Sequence, residues 1–185
     1  MKAVLIAMFA AGRRAAIMLR HGLDYGIAAV MAKKINISAG LLLYKFQDLE
    51  IYFFLVHPGG PYFAKKDEGS WTIPKGEIDL HEDELDAAKR EFIEETGYRP
   101  SGNFIALNPI QQKGGKIVKC WAFEGDIDPA RLVSNTFEME WPPKSGKMQT
   151  YPEIDRGDWF TFAESRKKIN ERQISFLEQI IAHGK

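Results

Sequence analysis

Residues Gly76 to Tyr98 read G-E-I-D-L-H-E-D-E-L-D-A-A-K-R-E-F-I-E-E-T-G-Y. A glycine turn, an acid-rich helical stretch and a second glycine stop follow one another in this segment. Asp83 followed by Asp86 marks a helix start, and Gly97 marks the C-terminal cap. On that helix Leu85, Ala88 and Phe92 share the helical period and are expected to face a core. Glu91, Glu94 and Glu95 stand at i, i+3 and i+4, so their side chains project from adjacent turns. Like charges at that spacing oppose helix formation by a few tenths of a kcal/mol per pair, about 0.2–0.5. No lysine in the stretch is placed to offset all three, and a shared divalent cation would.

Hard oxygen donors favour Mg²⁺ or Mn²⁺ over zinc, and Mg²⁺ completes its shell with water and substrate phosphates. The implied substrate is phosphorylated. The segment also resembles, position by position, the signature of the Nudix hydrolases, G-x5-E-x7-R-E-U-x-E-E-x-G-U with U a bulky apolar residue. Gly76, Glu82, Arg90, Glu91, Glu94, Glu95 and Gly97 fill the fixed places, with Phe92 and Tyr98 as the bulky ones. Seven fixed residues at fixed spacing are far more specific than a lone glycine motif. A charge-rich solvated helix face is the ordinary reading of such a run, and the flanking glycines and the arginine argue against it here.

The resemblance implies an α/β fold, the Nudix α/β/α sandwich with a mixed β-sheet, over about residues 35–182. It implies that Glu91, Glu94 and Glu95 are metal ligands, joined by the Gly76 carbonyl where glycine lets the main chain approach closely. Arg90 is expected to orient Glu82 or one of the ligands through charge-assisted hydrogen bonds, which makes Glu82 and Arg90 supports of the site. The general base comes either from the signature itself or from a downstream loop. Glu138 and Glu140 alternate with Phe137, Met139 and Trp141 and so share one face of a strand, whether as a base or on a half-exposed edge. Lys75, Lys116 and Lys144 are candidate phosphate contacts, as are Lys113, Lys119 and Lys147. Trp121, Tyr62 and Trp141 could stack on a nucleobase or serve as core.

Outward from the signature, Ser38–Phe46 and Glu50–His57 are β-branched and aromatic runs separated by a short turn, a hairpin signal. Pro58-Gly59-Gly60-Pro61 closes the second strand. Trp71–Ile73 reads as a short strand leading into Pro74-Lys75-Gly76. Phe104–Leu107, Lys116–Phe123 and Phe137–Trp141 read as further strands. Asp158–Phe162 leads to a final helix on which Ile174, Leu177, Ile180 and Ile181 form an apolar stripe. Hairpin strands, one central helix and one terminal helix argue for a mixed sheet between helices.

The chain has 185 residues, 45% of them hydrophobic, which suits one domain with its own core. Residues 35–185 are assigned to that domain. Residues 1–34 are read as an N-terminal extension outside the catalytic fold, with a transit peptide, an amphipathic extension and a misplaced start all open. Lys plus Arg and Asp plus Glu number 25 each, so no global field draws the protein to nucleic acid or a membrane. The expected partner is a small-molecule nucleotide, and the protein a monomer or homodimer. The single cysteine, Cys120, sits in an apolar run and suits a buried thiol in a reducing, cytoplasmic compartment. His21, His57, His81 and His183 show no metal or triad spacing.

For substrate, the W-T-I-P-K-G approach at Trp71–Gly76 resembles the Nudix branch that cleaves dinucleoside polyphosphates such as diadenosine tetraphosphate. The tyrosine that many of those enzymes carry downstream is replaced here by Lys113-Gly114-Gly115-Lys116. The chain as a whole resembles bacterial proteins described as predicted NTP pyrophosphohydrolases. A house-cleaning nucleoside triphosphate pyrophosphatase and a catalytically silent nucleotide-binding module are the alternatives. Silent modules usually lose a metal ligand, and this signature retains all of them.

Overall fold

A computed structural model describes residues 37–184 of the chain; the expected N-terminal extension and its boundary lie outside the described residues. Strand β1 (Ile37–Gln47) turns into β2 (Glu50–Pro58), and the pair is antiparallel. β3 (Lys75–Glu77) leads to helix α1 (Glu84–Thr96), which is followed by β4 (Ile105–Gln111) and β5 (Ile117–Glu124). A separate antiparallel pair comes next, β6 (Thr136–Glu140) and β7 (Met148–Pro152). Strand β8 (Ile154–Thr161) and helices α2 (Phe162–Lys168) and α3 (Ile174–His183) complete the fold.

The main sheet runs β4-β5-β1-β2-β8, with β3 also pairing to β1. β1 and β5 are parallel while the other pairings are antiparallel, so the sheet is mixed. Strand pleating sends alternate residues to opposite faces. Leu42, Phe53, Leu55, Val118 and Cys120 face Phe176, Leu177 and Ile180 of α3. Ala39, Leu41, Leu43, Phe54 and Phe123 face Ala87, Ala88 and Phe92 of α1. This is the expected α/β/α sandwich. Leu85 packs against the second cluster, and Ile174 and Ile181 against the first. Burial pushes the Cys120 thiol well above its ordinary value.

The strand expected at Trp71–Ile73 falls instead at Lys75–Glu77. Trp71 and Thr72 make only isolated bridges, to Ile169 and Val56. The Ile73 amide is taken by the buried Gln173, whose Oε1 accepts it at 3.0 Å, while Gln173 Nε2 donates to Thr72 Oγ1 at 2.9 Å. A side chain thereby satisfies backbone that a ladder would otherwise satisfy. His57, unremarkable in sequence, is fully buried and tied on both ring nitrogens, to Asp155 Oδ1 at 2.7 Å and to the Lys66 carbonyl at 2.9 Å. It joins the end of β2 to the bulge that opens β8.

Candidate active site

Helix α1 begins where the Asp83 side chain accepts from the amides of Leu85 and Asp86, and it ends at Gly97 in the left-handed conformation (φ 78°). With Ala87, Ala88 and Phe92 buried against the sheet, the rotation of the helix is set. Glu91 and Glu95 are thereby turned toward the chain entering from β3. Glu95 is only 9% exposed, and its Oε2 accepts the Lys75 amide at 3.0 Å. At Gly76 an added Cβ would fall inside the Glu91 carboxylate. Only glycine leaves that carboxylate its place.

Arg90 binds the acids around it. Its Nε and Nη2 each donate to Glu82 at 2.8 Å, and its Nη1 donates to Glu91 Oε1 at 2.7 Å and Glu94 Oε2 at 3.3 Å. Nη2 also donates to the Glu77 carbonyl at 3.0 Å. These bonds hold the Glu82 carboxyl below its ordinary value and the guanidinium above its own. Glu82 in turn accepts the Asp79 amide at 3.0 Å, which fixes the loop before the helix.

Burial raises three of the acids near the turn. Burial, with Glu91 and Glu153 adding, pushes the Glu95 carboxyl up to about 8, although the Lys75 charge opposes the shift. Glu91 is raised by burial, an effect only partly offset by Arg90 and increased by the charges of Glu94 and Glu153. Glu153 is raised by burial and by Glu94. The Lys75 ammonium is depressed by burial and by Lys116, with Glu95 and Glu91 opposing.

Glu153 is the residue that sequence reasoning did not single out. It follows β7, and its amide donates to the Asn135 carbonyl at 2.8 Å while the Asn135 amide donates to the Glu94 carbonyl at 2.9 Å. That relay draws Glu153 to the C-terminal end of α1. The E-I-D-R-G-D-W-F segment that begins with it was the available signal.

The other expected residues fall in three places. Lys75 and Lys116 lie beside the carboxylates, Lys116 also pairing with Glu77 at 3.6 Å. Trp121 packs into the apolar cluster under α1. Glu138, Glu140 and Lys144 belong to the separate β6–β7 hairpin. Glu140 accepts the Gly146 amide at 2.6 Å and so closes its own turn, Glu138 is exposed opposite Thr150, and Lys144 is exposed in the turn. Outside α1, the carboxylate raised by the charge of Glu94 is Glu153.

Among the described residues no group of three or more His, Cys, Asp or Glu side chains is placed to hold a metal ion; Arg90 and the Lys75 amide hold the carboxylates instead. The donor types are nevertheless those that a hard divalent cation takes. Its oxygens are partly desolvated and mutually repelling, and Gly76 leaves room against Glu91.

A mixed sheet thus lies between helices, with acids gathered around the glycine turn that precedes one of them. The model of the NUDIX domain matches residues 35–180, and the chain belongs to that family and is a hydrolase of pyrophosphate bonds. Nudix hydrolases generally use divalent metal ions. An RNA pyrophosphohydrolase of Rhizobium meliloti (strain 1021) is 30% identical over 128 residues, spanning 60% of this chain and 71% of that protein. The C. elegans Ap4A hydrolase binary complex shares the fold at TM-score 0.54 and 23% identity, covering 80% of this chain and 97% of that one. The NUDIX domain of Shewanella oneidensis NrtR, complexed with ADP ribose, matches at TM-score 0.54 and 15% identity, covering 83% and 90%. No helix among the described residues is long and apolar enough to cross a membrane.

Proposed function

We propose that the protein hydrolyses a phosphoanhydride bond in a nucleoside diphosphate linked to a further group, with dinucleoside polyphosphates such as diadenosine tetraphosphate as the leading substrates. The observation that carries this reading is the set of partly buried, mutually repelling carboxylates Glu91, Glu95 and Glu153 around Gly76. Glu91, Glu94, Glu95 and the Gly76 carbonyl would hold Mg²⁺ or Mn²⁺. Such an ion, when bound, screens the phosphate oxygens and lowers the pKa of water.

The rest of the chemistry falls to the chain itself. Arg90 keeps Glu91 and Glu94 in position while Glu82 anchors Arg90. Lys75 and Lys116 meet substrate phosphate oxygens. Glu153 takes the proton from the attacking water, since its raised carboxyl is a better base than an ordinary one. We prefer it to Glu138 and Glu140 of the β6–β7 hairpin, since Glu140 already accepts the Gly146 amide and Glu138 is exposed opposite Thr150. The lone buried thiol of Cys120 suits a reducing compartment, and the cytoplasm is the proposed location.

A second reading is favoured by the RNA pyrophosphohydrolase relative: removal of pyrophosphate from a 5′-triphosphorylated RNA end. The bond cleaved is again a phosphoanhydride, but the products are pyrophosphate and a 5′-monophosphorylated RNA end. Product analysis with Mg²⁺ would test both, across diadenosine tetraphosphate, nucleoside triphosphates, ADP-ribose, NADH and a 5′-triphosphorylated oligonucleotide, with Glu95→Gln as control. ATP and AMP from diadenosine tetraphosphate, and a dead control, support the leading reading. Pyrophosphate release from the oligonucleotide alone would replace it with the second. Cleavage of nothing in Mg²⁺ or Mn²⁺ would overturn both.

A further inference from the structure

The β6–β7 hairpin stands outside the main sheet, yet its base is built into the candidate site. The Asn135 amide bonds the Glu94 carbonyl, the Glu153 amide bonds the Asn135 carbonyl, and the Gly59 amide bonds the Glu153 carbonyl at 2.8 Å. Helix α1, the hairpin and the loop after β2 thus meet at one hydrogen-bonded junction around Glu153. From there β6 carries Trp141 outward until its ring meets that of Tyr62 edge to face, with centroids 5.1 Å apart and planes at 79°. The chain from Asn135 to Trp141 spans at most about 20 Å. Phe137 packs over Gly60 in between. The hairpin is therefore held against the loop along its length.

Tyr62 remains 55% exposed although it belongs to this contact. A pair that served only to glue hairpin to loop would be expected to bury both rings. The turn beyond Trp141 is closed by the Trp141 amide on the Lys147 carbonyl at 2.9 Å, and it presents Lys144 and Lys147 to solvent. Of the two acids on β6, Glu140 is already engaged with the Gly146 amide. An aromatic edge and two lysines are thus displayed on an arm rooted at the carboxylates.

We propose that Trp141 and Tyr62 form a stacking subsite for the nucleobase of the substrate's far half, with Lys144 and Lys147 attending its phosphates. This rests on the dinucleoside polyphosphate reading above and supplies the element that the carboxylates lack, a means of recognising the group beyond the anhydride. Bases stack on aromatic side chains without needing a particular sequence of donors, so the subsite selects for a planar ring rather than for one base.

Calorimetric titration of the full chain without divalent cation separates this from turnover. Diadenosine tetraphosphate and inorganic tripolyphosphate are titrated into the unaltered protein and into Trp141→Ala, Trp141→Phe and Tyr62→Ala. The expected result is about a tenfold or greater weakening for diadenosine tetraphosphate in both alanine variants. Tripolyphosphate binding should stay unchanged, and Trp141→Phe should recover most of the loss. Equal loss for both ligands would mean that the hairpin only braces the site. Unaltered binding in the alanine variants, or no nucleotide binding by the unaltered protein, would equally overturn the subsite. If Trp141-dependent binding is found while the substrate panel stays uncleaved, the subsite stands and the hydrolytic reading of the substrate fails; cleavage with Trp141-independent binding gives the reverse.

Discussion

Helices α1 and α3 cover opposite faces of one sheet, and they solve that task in contrasting ways. α3 covers its face with Phe176, Leu177 and Ile180, while Gln173, just ahead of it, braces the Trp71–Ile73 segment through the core. α1 covers its face with the smaller Ala87 and Ala88 plus Phe92, and devotes its remaining surface to acids that repel one another. Apolar packing and buried charge are thus concentrated on opposite sides of the same strands. A helix carrying Glu91, Glu94 and Glu95 would be a poor folding element by itself. The sheet it shares with α3 lets it carry that charge.

The sharpest way to break this comparison is Glu95→Gln or Glu94→Gln, which should lower turnover by orders of magnitude while circular dichroism shows the fold intact. Unfolding of these variants, or undiminished turnover, would contradict the division. Its converse is Leu177→Ala on α3, expected to cost about 2–5 kcal/mol in chemical denaturation, as for other fully buried leucines. The substrate KM of the folded fraction should not move. Gly76→Ala tests the boundary between the two regions: a Cβ there must displace the Glu91 carboxylate. Metal affinity read by titration should fall by about 10–100-fold, the range seen when ligand supports are disturbed.

A subtler test uses pH. The Glu95 carboxyl rises from its ordinary 4.5 to about 8 on folding, so between those values the folded state holds a proton that the unfolded state has released. The metal-free protein should therefore lose stability as pH climbs through that window, by at most about 1.4 kcal/mol per unit. Lys75, depressed on folding, acts in the opposite sense at more alkaline pH. Denaturation curves of Glu95→Gln should be flatter over the same range, and a slope as steep as the parent's would assign the effect elsewhere. The smallest expected change is Asp83→Ala, which removes the α1 cap and should cost about 1 kcal/mol with activity retained in the cold.

The fold was largely legible because local signals agreed with the tertiary arrangement. Asp83, Gly97 and the Leu85-Ala88-Phe92 period define α1 without help from the rest of the chain, and the alternating runs of β1 and β2 define their hairpin. Strand β3 escaped because Lys-Gly-Glu has no strand character of its own and pairs only because β1 offers it a ladder. Strand β7 escaped likewise: Met148–Pro152 is mostly exposed and lacks an apolar alternation, and its pairing to β6 supplies the structure. In the site, Glu91, Glu94 and Glu95 were legible as helical neighbours. Glu153 was not, since it reaches Glu94 through a backbone relay across Asn135 that no spacing rule encodes.

The parallel pairing of β1 with β5 has a consequence for how the chain is made. Parallel neighbours need a long crossover between them, and here the crossover contains α1 itself. During synthesis the acidic helix leaves the ribosome before Ile117–Glu124 exists to complete the floor beneath it. Until β5 docks, Phe92 lacks its neighbour Phe123, and the carboxylates sit on a helix with no finished scaffold. Closing that non-local contact is the kind of step that slows folding, and the nascent chain is expected to settle its cluster of carboxylates late and in one stroke, when the central strands zip together.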